Sequence, residues 1–195
     1  MHDEGDASSL KSPAQTRAPL IVSLVGFMGA GKTTVGQALA AKLRWQFLDL
    51  DDLIQVRARR PISEIFQQDG EAAFRKLERQ LLREIVNASP GQATVLSLGG
   101  GAFIDNTNEQ LLRENEIVTV FLDAPAEELF RRCTEPQTVR PLLRDAGNFR
   151  ELFEQRRPAY MKASHCVQTA GREIGSIVDE IISRLGLETS VGVFK

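Results

Sequence analysis

An apolar run, Leu20-Ile21-Val22-Ser23-Leu24-Val25, leads without interruption into Gly26-Phe27-Met28-Gly29-Ala30-Gly31-Lys32-Thr33-Thr34. The spacing of Gly26, four residues, then Gly31-Lys32-Thr33 is that of a P-loop held between a buried strand and a helix. Glycines there let successive backbone N–H groups turn inward and form an anion-sized nest. Lys32 would reach the β- and γ-phosphates of a nucleotide, and the Thr33 hydroxyl would hold Mg²⁺. The plainer reading is an ordinary strand-to-helix turn followed by a solvated lysine. It fits poorly, because the positive end of a helix dipole disfavours a cation and glycine lowers helix propensity at the same place. An anion removes the conflict. The helix that the motif requires is supplied by the periodic apolar positions Val35, Leu39, Ala40 and Leu43.

A chain of 195 residues suits one domain with a sizeable core. With 24 basic against 26 acidic residues the formal net charge is −2, so no broad basic field points to nucleic acid, and a small ligand is the better expectation. Cys133 and Cys166 lie far apart without metal-type spacing, and two histidines cannot make a zinc site alone, so both cysteines read as reduced packing thiols. Residues 1–19 are rich in Asp, Ser, Ala, Pro and Gln and contain no signal-peptide core; they read as a disordered tail. No apolar run reaches the length of a membrane span, about 18 residues. The expectation is a soluble, cytoplasmic monomer.

Short apolar runs alternate with helical patterns, as in a parallel sheet covered by helices on both faces. The pattern predicts five strands, at Leu20–Val25, Gln46–Leu50, Thr94–Leu98, Ile117–Leu122 and Ser164–Gln168. Helices are predicted at Lys32–Leu43, Asp52–Arg59, Ile62–Gln68, Glu71–Asn87, Asn108–Glu114, Pro125–Cys133, Phe149–Lys162 and Ile174–Leu185. The polar stretch from Thr134 to Asn148, with Pro136 and Pro141, interrupts the alternation where a lid would sit.

Ligands of open α/β sheets collect beyond the carboxyl ends of the strands. The second strand ends Asp49-Leu50-Asp51-Asp52. If it stays extended, Asp49 and Asp51 share a face, and two carboxylates could divide metal positioning and proton acceptance between them. Helix capping is the alternative, and Asp52 is assigned to it. The third strand ends Gly99-Gly100-Gly101, where so much conformational freedom points to φ > 0 or to close approach of backbone and ligand. Three arginines could clamp an anion. Arg140 stands in an apolar-flanked loop and could fold over phosphates. Arg156 lies near a helix end. Arg75, in a strongly helical stretch, has an ordinary explanation as a partner of Glu71 or Glu78.

In their order along the chain, the P-loop, Asp49-Leu50-Asp51, Asp69-Gly70-Glu71 with Phe74-Arg75, Leu98-Gly99-Gly100-Gly101, Arg140-Pro141-Leu142-Leu143 and Arg156 through Tyr160 resemble shikimate kinase, a family of small P-loop kinases. The resemblance runs from about Leu20 to Leu185. It implies a three-layer α/β/α fold with a central five-stranded parallel sheet, of the nucleoside monophosphate kinase-like P-loop NTPase type. The kinase domain would occupy residues 20–186, with a lid at about 134–148 and a C-terminal tail at 187–195. The activity it implies is transfer of the ATP γ-phosphate to the 3-hydroxyl of shikimate, with Mg²⁺ as cofactor.

By that resemblance Gly29, Ala30, Gly31, Lys32, Thr33 and Thr34 bind ATP, together with Arg132, Arg140 and Arg172. Lys32, Asp51 and Arg140 are the catalytic candidates, Asp51 being the base. Asp51, Arg75, Gly99, Gly100, Gly101 and Arg156 would hold shikimate, Arg75 and Arg156 through its carboxylate. Thr33 and Asp49 would hold the metal, Asp49 through water. Leu50 stands where the family often has Thr or Ser. A gluconate or nucleoside monophosphate kinase would share the P-loop and lid but not this acceptor set. No Asn-Lys-x-Asp guanine motif is present for a regulatory GTPase. A nucleotide-binding scaffold without catalysis is disfavoured because every candidate catalytic position carries a competent residue.

Overall fold

All five residues of β1 (Ile21–Val25) are buried, as a strand with neighbours on both edges and helices on both faces requires. The computed structural model describes residues 21–88, 92–134 and 146–188. After β1 come α1 (Lys32–Leu43), β2 (Gln46–Asp49), α2 (Leu50–Ala58), α3 (Ile62–Gln68), α4 (Gly70–Asn87) and β3 (Thr94–Ser97). A short 3-10 helix (Ala102–Ile104), α5 (Asn106–Glu114), β4 (Val118–Asp123), α6 (Ala126–Thr134), α7 (Ala146–Tyr160), β5 (His165–Gln168) and α8 (Ile174–Leu185) complete the order.

The sheet runs β2-β3-β1-β4-β5 with every pairing parallel. Parallel crossovers are right-handed, so connections moving in opposite directions along the sheet cover opposite faces. α1 and α8 pack together on one face, and α4 and α5 pack together on the other. This is the three-layer α/β/α arrangement that the sequence pattern predicts. The direction of travel reverses between β1 and β3, so the loops after these two strands diverge and leave a crevice. Fully buried Leu24, Leu39, Leu50, Ile54, Leu82 and Leu96 form the centre of the core, each contributing about 1.5–3 kcal/mol by burial.

Two features differ from expectation near the site. β2 stops at Asp49, and Leu50 already begins α2. The cap of that helix is Asp49, whose Oδ1 accepts from the Asp51 amide at 3.0 Å, and not Asp52. An extended residue with a short carboxylate reaches the amide two positions on, ending the strand one residue early. The 3-10 helix at Ala102–Ile104 has no counterpart in the predicted elements, because three residues are too few to show a period. The expected tail at 1–19 lies outside the described residues. Of the expected lid, Thr134 belongs to α6 and residues 146–148 to α7, while 135–145, with Arg140, lie outside the described residues.

Candidate active site

The loop after β1 closes into the start of α1. Gly31 caps this helix at φ 85°, in the left-handed region that favours glycine. No side chain caps α1, so the helix turns its positive end and its amides toward the crevice. Lys32 Nζ donates to the carbonyls of Gly26 at 2.9 Å and Phe27 at 3.0 Å, lying across the loop. Ala30 is buried and its amide donates back to Phe27 O at 3.2 Å, so it shapes the loop from within. Gly29 packs against α6: a Cβ there would stand 2.7 Å from Leu129 O and 2.8 Å from Cys133 Sγ.

Beside the loop, Thr33 Oγ1 donates to Asp49 Oδ2 at 2.9 Å. A hydroxyl and a carboxylate are hard oxygen donors, too few to enclose an ion but suited to Mg²⁺ that keeps phosphate and water as its other ligands. Among the described residues no group of three His, Cys, Asp or Glu could hold a metal by itself. A cleft of ≈ 390 Å³ opens here, lined by Gly29, Gly31, Lys32, Thr33, Thr34, Asp49, Asp51, Gly100 and Arg132 among others. Asp49 and Asp51 do meet in one cleft, but across a strand-to-helix turn and not along a continuing strand.

The glycines after β3 are explained by their neighbours. None of Gly99, Gly100 and Gly101 has positive φ. A Cβ on Gly99 would overlap the Asp51 carboxylate, and one on Gly101 would come within 2.5 Å of Arg75 Nη2. What approaches closely is therefore the Asp51 and Arg75 side chains, held against bare backbone. Arg75 lies between α4 neighbours on either side: Nη1 donates to Glu78 Oε1 at 3.1 Å and Oε2 at 3.0 Å, and Nε donates to Glu71 Oε1 at 3.3 Å. Burial lowers the Arg75 pKa, but the two glutamates together raise it further, so its charge is secure. For Glu78 the balance runs the other way. Burial pushes its carboxyl above the ordinary value despite Arg75, and the nearby charges of Asp51 and Asp105 add to the rise. The partly exposed cation keeps some water while the enclosed carboxylate has lost nearly all of it.

Arg156 and Arg157, adjacent on α7, point to different places. Arg156 Cζ lies 6.0 Å from the centre of the Phe27 ring, which itself meets Phe149 and Phe153 edge-on at 5.0 and 5.5 Å. Arg157 Nη2 instead donates to Asp123 Oδ2 at 2.7 Å, where Gln168 Nε2 also donates at 3.0 Å. That cluster ties α7 to the ends of β4 and β5.

Of the other arginines, Arg132 reaches the donor loop. Its Nη1 is 3.4 Å from Gly29 O, its Nη2 donates to Thr169 O at 3.0 Å, and its Nε donates to Glu128 Oε1 at 3.1 Å. Arg172 is not brought into the cleft: it pairs with Glu180 and donates to Gln168 O at 3.0 Å and Ser176 O at 3.1 Å. Glu180 on α8 competes for the guanidinium in a way that no local pattern foretells.

Glu78 and Tyr160 are not among the sequence candidates. Glu78 had a readable signal, since it stands on the apolar stripe of Phe74, Leu81 and Leu82 and a charge there needs a partner. Tyr160 closes the Arg156-to-Tyr160 stretch that carries the resemblance, but no local pattern gives its hydroxyl a partner.

The family model for shikimate kinase matches residues 28–186. A shikimate kinase of Salinibacter ruber is 40% identical over 175 residues, covering 84% of this chain and 83% of the relative. A crystal structure of shikimate kinase from Bacteroides thetaiotaomicron superposes with a TM-score of 0.77 at 34% identity, covering 86% of this chain and 98% of that one. Shikimate kinase from Acinetobacter baumannii, in complex with shikimate, gives a TM-score of 0.76 at 33% identity, over 85% and 92% of the two chains. With a P-loop, an acidic turn and an arginine-backed glycine wall on a sheet of matching fold, this chain belongs to the shikimate kinase family.

Proposed function

We propose that the protein transfers the γ-phosphoryl group of ATP to the 3-hydroxyl of shikimate, giving shikimate 3-phosphate and ADP. The observation that carries this reading is the meeting of two sites across one crevice. Lys32 and Thr33 stand on the β1 side, and Asp51 lies against the glycines of the β3 side.

In this reading the α1 amides and Lys32 take the phosphates, Lys32 exchanging its loop carbonyls for phosphate oxygens as charge develops. Asp51 accepts the proton of the attacking hydroxyl, its position held by the bare backbone of Gly99 and by the first turn of α2. Arg75, braced by Glu78, and Arg156 bind the acceptor carboxylate, with Gly100 and Gly101 as the pocket wall. Mg²⁺, held by Thr33 and by Asp49 through water, would neutralise charge on the transferring group. Arg140, known here from sequence alone, would close over the phosphates, and Arg132 would flank the nucleotide. Arg172 would have to leave Glu180 to do so.

The near-balanced charge, a net −2, favours small-molecule partners over nucleic acid, and among the described residues no helix is long and apolar enough to cross a membrane; a cytoplasmic monomer is part of the proposal. The kinase unit is proposed to span 20–186, with 1–19 and 187–195 as tails, the second of which starts with Leu187 still buried in the core. The test is ADP release measured over shikimate, quinate, gluconate and nucleoside monophosphates. Turnover with shikimate far above the others is expected; turnover with gluconate alone would overturn the assignment.

A further inference from the structure

The Tyr160 hydroxyl has no part in the chemistry above, yet it sits at the acceptor wall. Tyr160 is fully buried, with its ring 5.4 Å from that of Phe121 at an interplanar angle of 24°. From there its Oη donates to the carbonyl oxygen of Gly100. Tyr160 follows Arg156 by four residues on α7, so the two side chains leave the helix on one face. Burial pushes the hydroxyl well above the ordinary tyrosine value against the opposing pull of Arg156 and, more weakly, Arg75, so it remains a neutral donor with both clamp arginines nearby.

The carbonyl of Gly100 and the amide of Gly101 belong to one planar peptide, so fixing the direction of the oxygen fixes the N–H on the opposite side. That peptide is flanked by glycine on both ends, and without Cβ atoms its rotation to an inverted orientation meets little steric resistance. Inverted, the oxygen would leave the tyrosine, and a carbonyl dipole of the wrong sign would turn toward the place of an anionic group.

We propose that Tyr160 is a positioning residue that locks the Gly100–Gly101 peptide with its oxygen held toward α7, so that the wall beside Arg75 and Arg156 presents an N–H to the acceptor carboxylate. The inference rests on the acceptor reading given under the proposed function and deepens it: specificity for an acid depends on a hydroxyl that never touches the acid.

The test compares Tyr160→Phe with Arg156→Lys in the full-length protein. The phenylalanine keeps the ring on Phe121 and removes the hydroxyl, both as donor to Gly100 and as acceptor from Arg156, and the Arg156→Lys comparison reports on the second contact. For Tyr160→Phe the shikimate KM is expected to rise about tenfold, with kcat and the ATP KM changed less than twofold. An unchanged shikimate KM, or equal loss in the ATP KM and kcat, would overturn the lock. If Arg156→Lys raises the shikimate KM and Tyr160→Phe does not, the lock fails and the acceptor site stands. If neither variant moves it, the acceptor site falls as well, and the lock with it. A readout independent of the variant's folding is available because Tyr160 is the only tyrosine in the chain. Growth on 3-fluorotyrosine labels it alone, and its fluorine resonance should shift when shikimate is added without nucleotide. A resonance indifferent to saturating shikimate counts against the proposal.

Discussion

Glu78, 1% exposed, accepts from Arg75 Nη1 with both carboxylate oxygens, at 3.1 and 3.0 Å. The pair places a buried carboxylate directly behind Arg75, whose guanidinium lies against the bare backbone of Gly101.

Glu78→Gln should therefore raise the shikimate KM about tenfold through loss of the charge-assisted bonds that orient Arg75, leaving the ATP KM unchanged. The pH dependence of stability carries a sign. Because the folded pKa of Glu78 is raised, its contribution is fully present below the unfolded value and is lost as pH rises through the folded one. The melting-temperature difference, wild type minus Glu78→Gln, should become less favourable to wild type as pH rises from 4 to 7. A difference that grows with pH would show that the ion pair outweighs the burial.

Gly99→Ala and Gly101→Ala should separate the two halves of acceptor handling. The first pushes against the Asp51 carboxylate and should lower kcat by about two orders of magnitude, the usual scale for a misplaced general base. The second pushes against the Arg75 guanidinium and should chiefly raise the shikimate KM. Steady-state kinetics with shikimate as the varied substrate checks both; identical signatures would mean that the glycines are not individually matched to those side chains.

Lys32→Ala should lower kcat about 10²–10³-fold, as for loss of a group that meets developing charge. Its bonds within the resting loop are to two carbonyls at the crevice, so thermal unfolding should shift by no more than a few degrees. A large loss of stability with substantial turnover remaining would make it a structural lysine.

Arg156→Ala and Arg157→Ala are neighbours with opposite expectations. Arg156→Ala should raise the shikimate KM with little change in melting temperature. Arg157→Ala leaves the buried Asp123 carboxylate with Gln168 as its remaining side-chain donor. Since Arg157 is 39% exposed and partly screened, the loss should be about 1–2 kcal/mol of stability, with KM unchanged. Thermal denaturation beside kinetics on each variant decides the assignment.

The strands and helices were legible because their signals are local: apolar runs for buried strands, periodic apolar stripes for α4 and α8, and a glycine motif for the donor loop. Boundaries failed where a single side chain decided them, as when Asp49 capped α2 and cut β2 short. Asp51 was raised by its place at a strand end and Arg156 as one possible clamp, but Arg75 was singled out through family resemblance, since an isolated arginine in a helix looks like any surface charge. Of the two reasons the three glycines suggested, left-handed backbone is absent; the close approach is by Asp51 and Arg75, which lie 26 or more positions away and leave no local pattern.

What the sequence determined by itself is the alternation of strand and helix, the phosphate loop, and the chemistry available at each strand end, since all of these depend on residues near one another in the chain. Tertiary structure alone decided that Asp51 lies on Gly99, that Arg75 rests between Glu78 and Gly101, that Arg157 and not Arg156 binds Asp123, and that Tyr160 reaches the Gly100 carbonyl. Each of those depends on the pairing order β2-β3-β1-β4-β5 and on the faces the helices then cover. That order is set by the summed burial and hydrogen bonding of distant segments, which no local period records.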